Sequence, residues 1–248
     1  AVQGLAEFLP ISSSGHLSLL ARLFGIYENT LFYSVVLHLG TLIPVIIILR
    51  KKILGLFMSP NLFFNLILAS IPAGIVGIIF SKVLSIDTLF ESAPILLSIT
   101  FLITAFEMFI CKKISNEKRL FRPINKKTAF IMGCGQAVGV LTGISRSGST
   151  ILFGNIAGVN RQDNADFTFL MSIPIILSAV LLESAEIATC GTPVSIDFLP
   201  LFFGVISAIV SGYISISFML SVIKKANYKW FGFYMLFISA VNLIVCLV

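Results

Sequence analysis

The chain has 248 residues, of which 57% are hydrophobic and only 11% charged, and its mean hydropathy is +1.04. Soluble domains usually carry about 25% charged residues, so this composition excludes an ordinary soluble protein. We expect the net charge of +6 to reflect basic loops at one face of a membrane, with no nucleic-acid partner.

Polar residues interrupt the apolar sequence at the very start of the chain. Residues 3–16 read QGLAEFLPISSSGH. Gln3 and Glu7 are four apart and share one face of a predicted helix, which Pro10 is expected to end. Because the chain starts at Ala1, two residues before this motif, we expect a helical arm that is cut short at the N-terminus.

Six windows of roughly 20 apolar residues predict membrane-spanning helices. The predicted spans are 31–49, 62–80, 93–111, 167–188, 198–223 and 230–248. They predict an all-α polytopic membrane protein that forms a single membrane domain over residues 1–248.

Basic residues cluster in the sequence next to these spans. The clusters are Arg50, Lys51 and Lys52 after the first span, Lys112, Lys113, Lys118, Arg119, Arg122, Lys126 and Lys127 after the third, Arg161 before the fourth, and Lys224, Lys225 and Lys229 before the sixth. The positive-inside rule predicts that these loops are cytoplasmic. Residues 1–30 then begin and end outside, whereas residues 128–166 begin and end inside. Each segment is therefore predicted to be a re-entrant helix-loop-helix hairpin, or else to lie on the surface.

The two hairpin segments contain an internal repeat. Residues 3–17 (QGLAEFLPISSSGHL) align without gaps at an offset of 133 with residues 136–150 (QAVGVLTGISRSGST). Each copy precedes three spans, and the two sets run in opposite directions. This predicts an inverted-topology repeat with halves of approximately 1–111 and 128–248, joined by a basic cytoplasmic loop. Such repeats place binding sites near the membrane midplane.

The two motifs supply different chemistry. Several hydroxyls, backbone N–H groups at a helix start and Arg146 form a set that suits a phosphate group. Glu7 and His16 add acid–base capacity, and a hydroxyl beside a base can act as a nucleophile. Anion binding alone would not need Glu7 and His16, so the residues favour phosphoryl transfer. The phosphate-binding candidates are Gln3, Ser12, Ser14, Ser145, Ser147 and Thr150, and the catalytic candidates are Glu7, Ser13, His16 and Arg146.

Other charged or reactive residues are given structural roles. We expect His38, inside the first span, to pack or to hydrogen-bond between helices. Glu107, Glu183 and Glu186 lie near span ends and are expected to reach the interface, and Arg22, Lys82 and Arg161 are expected to be loop or interface charges. The four cysteines, Cys111, Cys134, Cys190 and Cys246, have no metal-site spacing.

At these motifs the sequence resembles the bacterial undecaprenyl-diphosphate phosphatase family, of the bacitracin-resistance type. That family carries a (Glu/Gln)xxxGlu motif leading into Pro-x-Ser-Ser-x-Gly-His, here QGLAE at 3–7 and PISSSGH at 10–16. Its second motif, PGxSRSxxT, is here TGISRSGST at 142–150. Two positions depart from the strictest pattern. Gln3 leaves Glu7 as the one carboxylate of a metal site, and Thr142 replaces a proline without removing a donor.

The resemblance implies hydrolysis of undecaprenyl diphosphate to undecaprenyl phosphate and phosphate, which recycles the lipid carrier of cell-wall synthesis. It implies a site that opens to the outer face of the bacterial inner membrane, assisted by a divalent cation, Mg or Ca, with Glu7 as base or metal ligand. Ser13 would be the nucleophile or would position a water, and His16 would handle protons. Arg146, Ser145, Ser147 and Thr150 would stabilise phosphate charge. A homodimer is left open.

Three other functions compete with this interpretation. In lipid phosphatases of the acid-phosphatase type, the SR element extends to the motif SRxxxxxH. The position that would hold the histidine here is 152, which is Leu, and the KxxxxxxRP element of those enzymes is missing. A polyprenyl phosphate flippase or anion transporter stays open, because inverted repeats with midplane sites are transporter architecture. A purely structural membrane protein would not need Glu7 or Arg146 at depth.

Overall fold

The computed structural model describes residues 1–25, 30–80, 89–90, 93–115, 122–190 and 198–247. Within these ranges the chain is helical and no β-strand is formed. The helices with described bounds are α1 (Val2–Phe8), α2 (Ser13–Phe24), α3 (Thr30–Met58), α4 (Pro60–Ile78), α5 (Ile95–Ser115), α6 (Lys126–Val138), α7 (Arg146–Ile156), α8 (Arg161–Cys190), α9 (Phe198–Lys225) and α10 (Lys229–Leu247).

Six of these helices are long and apolar enough to cross a membrane. They are α3, α4, α5, α8, α9 and α10, and their most apolar windows have mean hydropathies between 1.8 and 2.3. This confirms the six predicted spans and a multi-pass membrane protein.

The distribution of side chains is that of a protein surrounded by lipid. Leu54, Phe203 and Phe237 point outward and are each more than 60% exposed, whereas Asn164 and Asn242 are fully buried. Hydrocarbon covers the apolar side chains on the outside, and polar groups find their partners inside the bundle.

Helix α3 is longer than predicted. The span was expected to end at residue 49, with Arg50, Lys51 and Lys52 in a loop, but the helix continues to Met58. The helix continues through Gly55 and ends just before Ser59, after which Pro60 starts α4. The basic side chains therefore lie on the helix itself, from which long charged side chains can reach polar surroundings.

The two motif segments form pairs of short helices. Helices α1, α2, α6 and α7 have 7, 12, 13 and 11 residues. At a rise of 1.5 Å per residue, each is about 10–20 Å long, which is less than the roughly 30 Å of a bilayer core. None of these helices can cross a membrane alone.

Each N-terminal arm packs on a long helix from the other part of the chain. Helix α1 lies against α9, where a Cβ at Gly4 would overlap Ser211 and the Ala208 carbonyl. The Ser215 hydroxyl of α9 also donates to the Leu5 carbonyl at 2.8 Å. Helix α6 lies against α4 with Gly133 on the Ala69 carbonyl. This crossed packing brings the two motifs together.

The C-terminal arms are also held by helices from opposite parts of the chain. Helix α7 packs on α5, and α2 reaches α10 through a contact between His16 and Tyr234. Helices α5 and α10 pack on each other, and Asn242 donates to the Ser98 hydroxyl at 2.8 Å. The motif turns consequently lie inside the bundle.

Candidate active site

The first motif builds a carboxylate site at the break between α1 and α2. Gln3 and Glu7 lie on one face of α1, and Gln3 Nε2 donates to Glu7 Oε2 at 3.1 Å. After the turn at Pro10, Ser12 caps α2 by accepting from Gly15 N at 3.3 Å. Ser13 is the first residue of α2, and its hydroxyl donates to the same Glu7 oxygen at 2.5 Å.

Ser12 adopts an unusual backbone conformation. Its φ is +63°, in the region that side chains other than glycine rarely adopt. In the second motif the positive φ, +90°, falls on Gly143 instead, where a side chain would overlap Thr100. The two turns thus reach the same helix start by different backbone routes. Strain at Ser12 is typical of a residue held for a functional geometry.

The second motif repeats the cap and adds a cation. Ser145 caps α7 by accepting from Gly148 N at 3.2 Å, and its own N–H donates to Thr104 at 3.2 Å. Arg146 is the first residue of α7. The Thr150 hydroxyl donates to the Arg146 carbonyl at 2.7 Å, which orients it along the helix.

The two motifs meet through side chains and main chain. Arg146 forms an ion pair with Glu7 Oε1. The hydroxyls of Ser145 and Ser147 both point to the Leu9 carbonyl, at 3.5 and 3.1 Å, and lie 3.2 Å from each other. The structure therefore brings together Gln3, Glu7, Ser13, Arg146, Ser145 and Ser147.

A further residue, His38, reaches this group from α3. Its Nε2 lies 3.7 Å from Glu7 Oε2, while its Nδ1 lies 2.9 Å from the Ser34 carbonyl, to which it can only donate. The contact with the carboxylate is attractive when the ring carries both protons. The contact lies between helices α3 and α1, and its partner is the carboxylate of the candidate site. The position of His38 inside an apolar span concealed this contact, since the fold alone places His38 beside Glu7.

A narrow cleft opens beside the ion pair. The predicted residues Glu7, Arg146, Ser147 and Thr150 line it, together with three residues that were not predicted, Gln136, Thr168 and Ser172. Gln136 is the repeat partner of Gln3, and this was a signal that could have identified it. Its buried Nε2 has no hydrogen-bond partner among the described residues. An unsatisfied buried donor in a cleft indicates a place for an acceptor ligand.

His16 and Ser14, like the capping residue Ser12, lie outside the cleft at Glu7. His16 donates from Nδ1 to the Ser12 carbonyl at 2.8 Å, and its Nε2 lies 2.8 Å from the Tyr234 hydroxyl, on whose ring it stacks. Ser14 is exposed and lies 3.4 Å from the Ser12 hydroxyl. Neither side chain lines the cleft at Glu7.

Glu107 differs from its prediction. It was expected to reach the membrane interface, but it is buried and both of its oxygens lie 2.9 Å from the Ser149 hydroxyl. Helix α7 packs on α5 at this point and covers it. Glu183 is partly buried near the C-terminal end of α8, and Lys82 and the side chain of Glu186 lie outside the described residues.

Two of the predicted interface charges contact neighbouring helices. Arg22 donates to Cys246 at 3.5 Å. Arg161 donates to the carbonyls of Ser115 and Lys224, where it satisfies the ends of α5 and α9.

The arrangement suits an anionic ligand. One carboxylate, one guanidinium and several hydroxyls surround a cleft whose other walls include Phe8, Phe169 and Ile175. Among the described residues no group of three His, Cys, Asp or Glu side chains gathers as a metal site.

Comparison with protein families gives a match over nearly the whole chain. The family described as bacitracin resistance protein BacA matches residues 1–241, which include both motifs and α1 to α9 completely. The chain belongs to the BacA family.

Named relatives of this BacA family member share about a third of its residues. An "Undecaprenyl-diphosphatase" of Carboxydothermus hydrogenoformans is 35% identical and covers 98% of this chain and 94% of its own length. "Undecaprenyl-diphosphatase 4" of Bacillus thuringiensis is 37% identical, and the match covers 94% of this chain and 89% of the relative. An "Undecaprenyl-diphosphatase" of Moorella thermoacetica is 36% identical, and the match covers 96% of this chain and 92% of the relative. The resemblance drawn from the two motifs is therefore confirmed for the BacA family.

Proposed function

We propose that this chain hydrolyses the phosphoanhydride bond of undecaprenyl diphosphate, yielding undecaprenyl phosphate and inorganic phosphate. The observation that carries the proposal is the meeting of two separate motifs, in which Glu7 and Arg146 line one cleft as an ion pair and the Ser13 hydroxyl donates to Glu7. The names of the relatives support the choice of substrate.

The geometry supports a role for each group. Ser13 Oγ would form a bond to the terminal phosphorus as the bond from that phosphorus to the bridging oxygen breaks, and its proton would pass to Glu7 Oε2. The lipid monophosphate leaves with the electron pair of the broken bond, and water then hydrolyses the phosphoserine. In the alternative that we keep, Ser13 positions a water that attacks directly while Glu7 takes the proton from that water.

The second motif would stabilise the phosphate. Arg146 can turn its guanidinium from Glu7 to the phosphate oxygens, and two N–H groups suit such oxygens. The hydroxyls of Ser145, Ser147 and Thr150 and the buried amide of Gln136 add neutral donors at the places where charge develops. His16 as a proton-handling residue stays a prediction.

A divalent cation, Mg or Ca, is part of the proposal. The Glu7 carboxylate, the Ser13 hydroxyl and Gln3 Oε1 offer the oxygen ligands that such cations prefer. Gln3 Oε1 is buried and has no hydrogen-bond partner in the described part of the chain, so these residues fit a cation. When bound, it would neutralise charge on the diphosphate.

We place the site near the midplane of the bacterial inner membrane, open to the outer face. The short helix pairs α1–α2 and α6–α7 would be re-entrant hairpins from opposite faces, and the two halves an inverted repeat. Their lengths, and the crossed packing of α1 on α9 and α6 on α4, support this arrangement.

The same crossed packing favours a second candidate, the movement of a lipid phosphate across the membrane. It would use the same cleft without breaking a bond. Head-group transport in liposomes by a chain that releases no phosphate would select this candidate over hydrolysis.

Phosphate release from the purified chain tests the proposal. Detergent-solubilised protein is given a polyprenyl diphosphate with and without a chelator, and inorganic phosphate is measured. Replacement of Arg146 by alanine should lower kcat by about 100-fold or more, as loss of a group that stabilises transition-state charge does. Arg22→Ala is the matched control, because Arg22 contacts Cys246 away from the cleft. Full activity of Arg146→Ala would remove the role given to this residue.

A further inference from the structure

A second cavity lies beside the α1–α2 turn. It has a volume of about 470 Å³ and is bounded by the end of α9, the start of α10 and the turn itself. Leu9, Phe218, Phe231 and Tyr234 contribute to its walls. This volume is in the range of binding sites for small molecules, and none of its lining residues belongs to the cleft at Glu7.

The mouth of the cavity is basic and aromatic. Lys225, the last residue of α9, lines it and is exposed. Trp230 also lines it, and Lys229 lies 5.0 Å from the centre of the Trp230 ring. No acidic side chain of the described residues lines the cavity. Lysine beside tryptophan at the end of a membrane helix is the arrangement that meets lipid headgroups.

We infer that this cavity binds one hydrocarbon chain of an anionic bilayer phospholipid, with the phosphate of that lipid at Lys225. The apolar walls exclude a polar solute, and the surrounding solvent for such walls is lipid. The basic mouth selects among lipids by charge, since one lysine near a membrane surface contributes about 1 kcal/mol toward an anionic headgroup. The site is separate from the proposed diphosphate site and does not depend on it.

The occupant would touch residues that hold the first motif in place. Tyr234 lines the cavity, and its hydroxyl lies 2.8 Å from His16 Nε2. Leu9 lines it too, and its carbonyl accepts from Ser147. A bound lipid chain would therefore pack against the turn that contacts the candidate active site through the Leu9 carbonyl.

The single tryptophan of the chain allows a direct test. Trp230 is the only tryptophan, so all the tryptophan fluorescence of the chain comes from a residue that lines this cavity. The full chain is reconstituted in two vesicle mixtures with equal bromine content, one with brominated phosphatidylglycerol in plain phosphatidylcholine and one with the bromine on phosphatidylcholine instead. Brominated chains quench tryptophan on contact. Quenching of Trp230 by the brominated anionic lipid should be about fivefold stronger than the fraction of that lipid in the mixture accounts for.

Two charge variants complete the test. Lys225→Gln should reduce the preference to that of the bulk mixture, whereas Lys224→Gln should keep it, because Lys224 carries the same charge next along the chain but does not line the cavity. Equal quenching by both lipids in the unaltered chain would overturn the inference, as would equal loss in both variants. Quenching is measured without turnover, so its outcome is distinguishable from that of the phosphate-release assay.

Discussion

At the scale of single residues, Glu7 is the side chain on which most polar contacts of the site converge. One of its oxygens pairs with Arg146, and the other accepts from Ser13 and Gln3 and faces His38. A buried carboxylate needs such partners, because an uncompensated charge in a membrane protein is costly. Replacement of any one partner changes how the carboxylate is held.

His38 is expected to contribute to turnover through Glu7. His38→Ala should lower kcat for phosphate release between about 10- and 100-fold, as loss of a residue that orients an active group does, with little change in KM. His38→Gln retains a polar group of similar reach and should recover part of the activity.

The control for His38 lies one turn of helix further along α3. Thr41 is buried and bonds to the carbonyl of His38, away from Glu7, so Thr41→Val should leave kcat near that of the unaltered chain. An activity of His38→Ala equal to that of Thr41→Val would show that His38 plays no part.

The motif residues could be predicted from the sequence because they are contiguous, whereas His38, Glu107 and Thr168 could not. His38 and Thr168 lie on long apolar helices, and only the packing of α3 and α8 in the bundle turns them toward the site. Glu107 lies five residues from Lys112 and therefore looked interfacial. Its burial depends on α7, a helix that follows it by about 40 residues.

At the scale of helices, the arms of the motifs depend on close approach of backbones. Gly133 of α6 rests on the Ala69 carbonyl of α4, and a Cβ there would overlap that oxygen. Small residues at helix crossings are the usual means of such packing in membranes. The apolar pattern predicted the long helices but not which of them would cross at this distance.

Gly133→Ala should destabilise the protein by about 1–3 kcal/mol, as insertion of a methyl group into a tight contact does. Gly74→Ala is the matched control, since a Cβ at Gly74 of α4 meets nothing within 4 Å. Thermal unfolding in detergent measures both variants. A melting temperature of Gly133→Ala equal to that of Gly74→Ala would contradict the packing of α6 on α4.

At the scale of the whole molecule, the windows of apolar residues predicted the number and order of the membrane helices. The position of the basic residues was less well predicted, because α3 carries Arg50, Lys51 and Lys52 as part of the helix up to Met58. Nothing in an apolar pattern tells where a membrane ends on a helix that continues beyond it. The direction of each span therefore needs an experiment of its own.

Topology can be measured by cysteine labelling in intact cells. In a chain whose own cysteines have been replaced, Lys127→Cys at the start of α6 should react with an impermeant maleimide only after the cells are opened. Leu199, at the start of α9, is 65% exposed, and a cysteine in its place should react from outside. The opposite pattern would reverse the proposed orientation, and reaction of both from outside would contradict the inverted repeat.

The hydroxyls of Ser145 and Ser147 have a consequence for how a ligand enters. In the free site they are satisfied by the Leu9 carbonyl of the opposite motif, so a phosphate must take them in exchange. Each hydrogen bond gained by the ligand is then partly offset by one lost between the two turns. Ligand binding and the contact between the two motif turns therefore oppose each other. Because such coupling is reciprocal, a change that strengthens the contact between the turns weakens the affinity for the ligand.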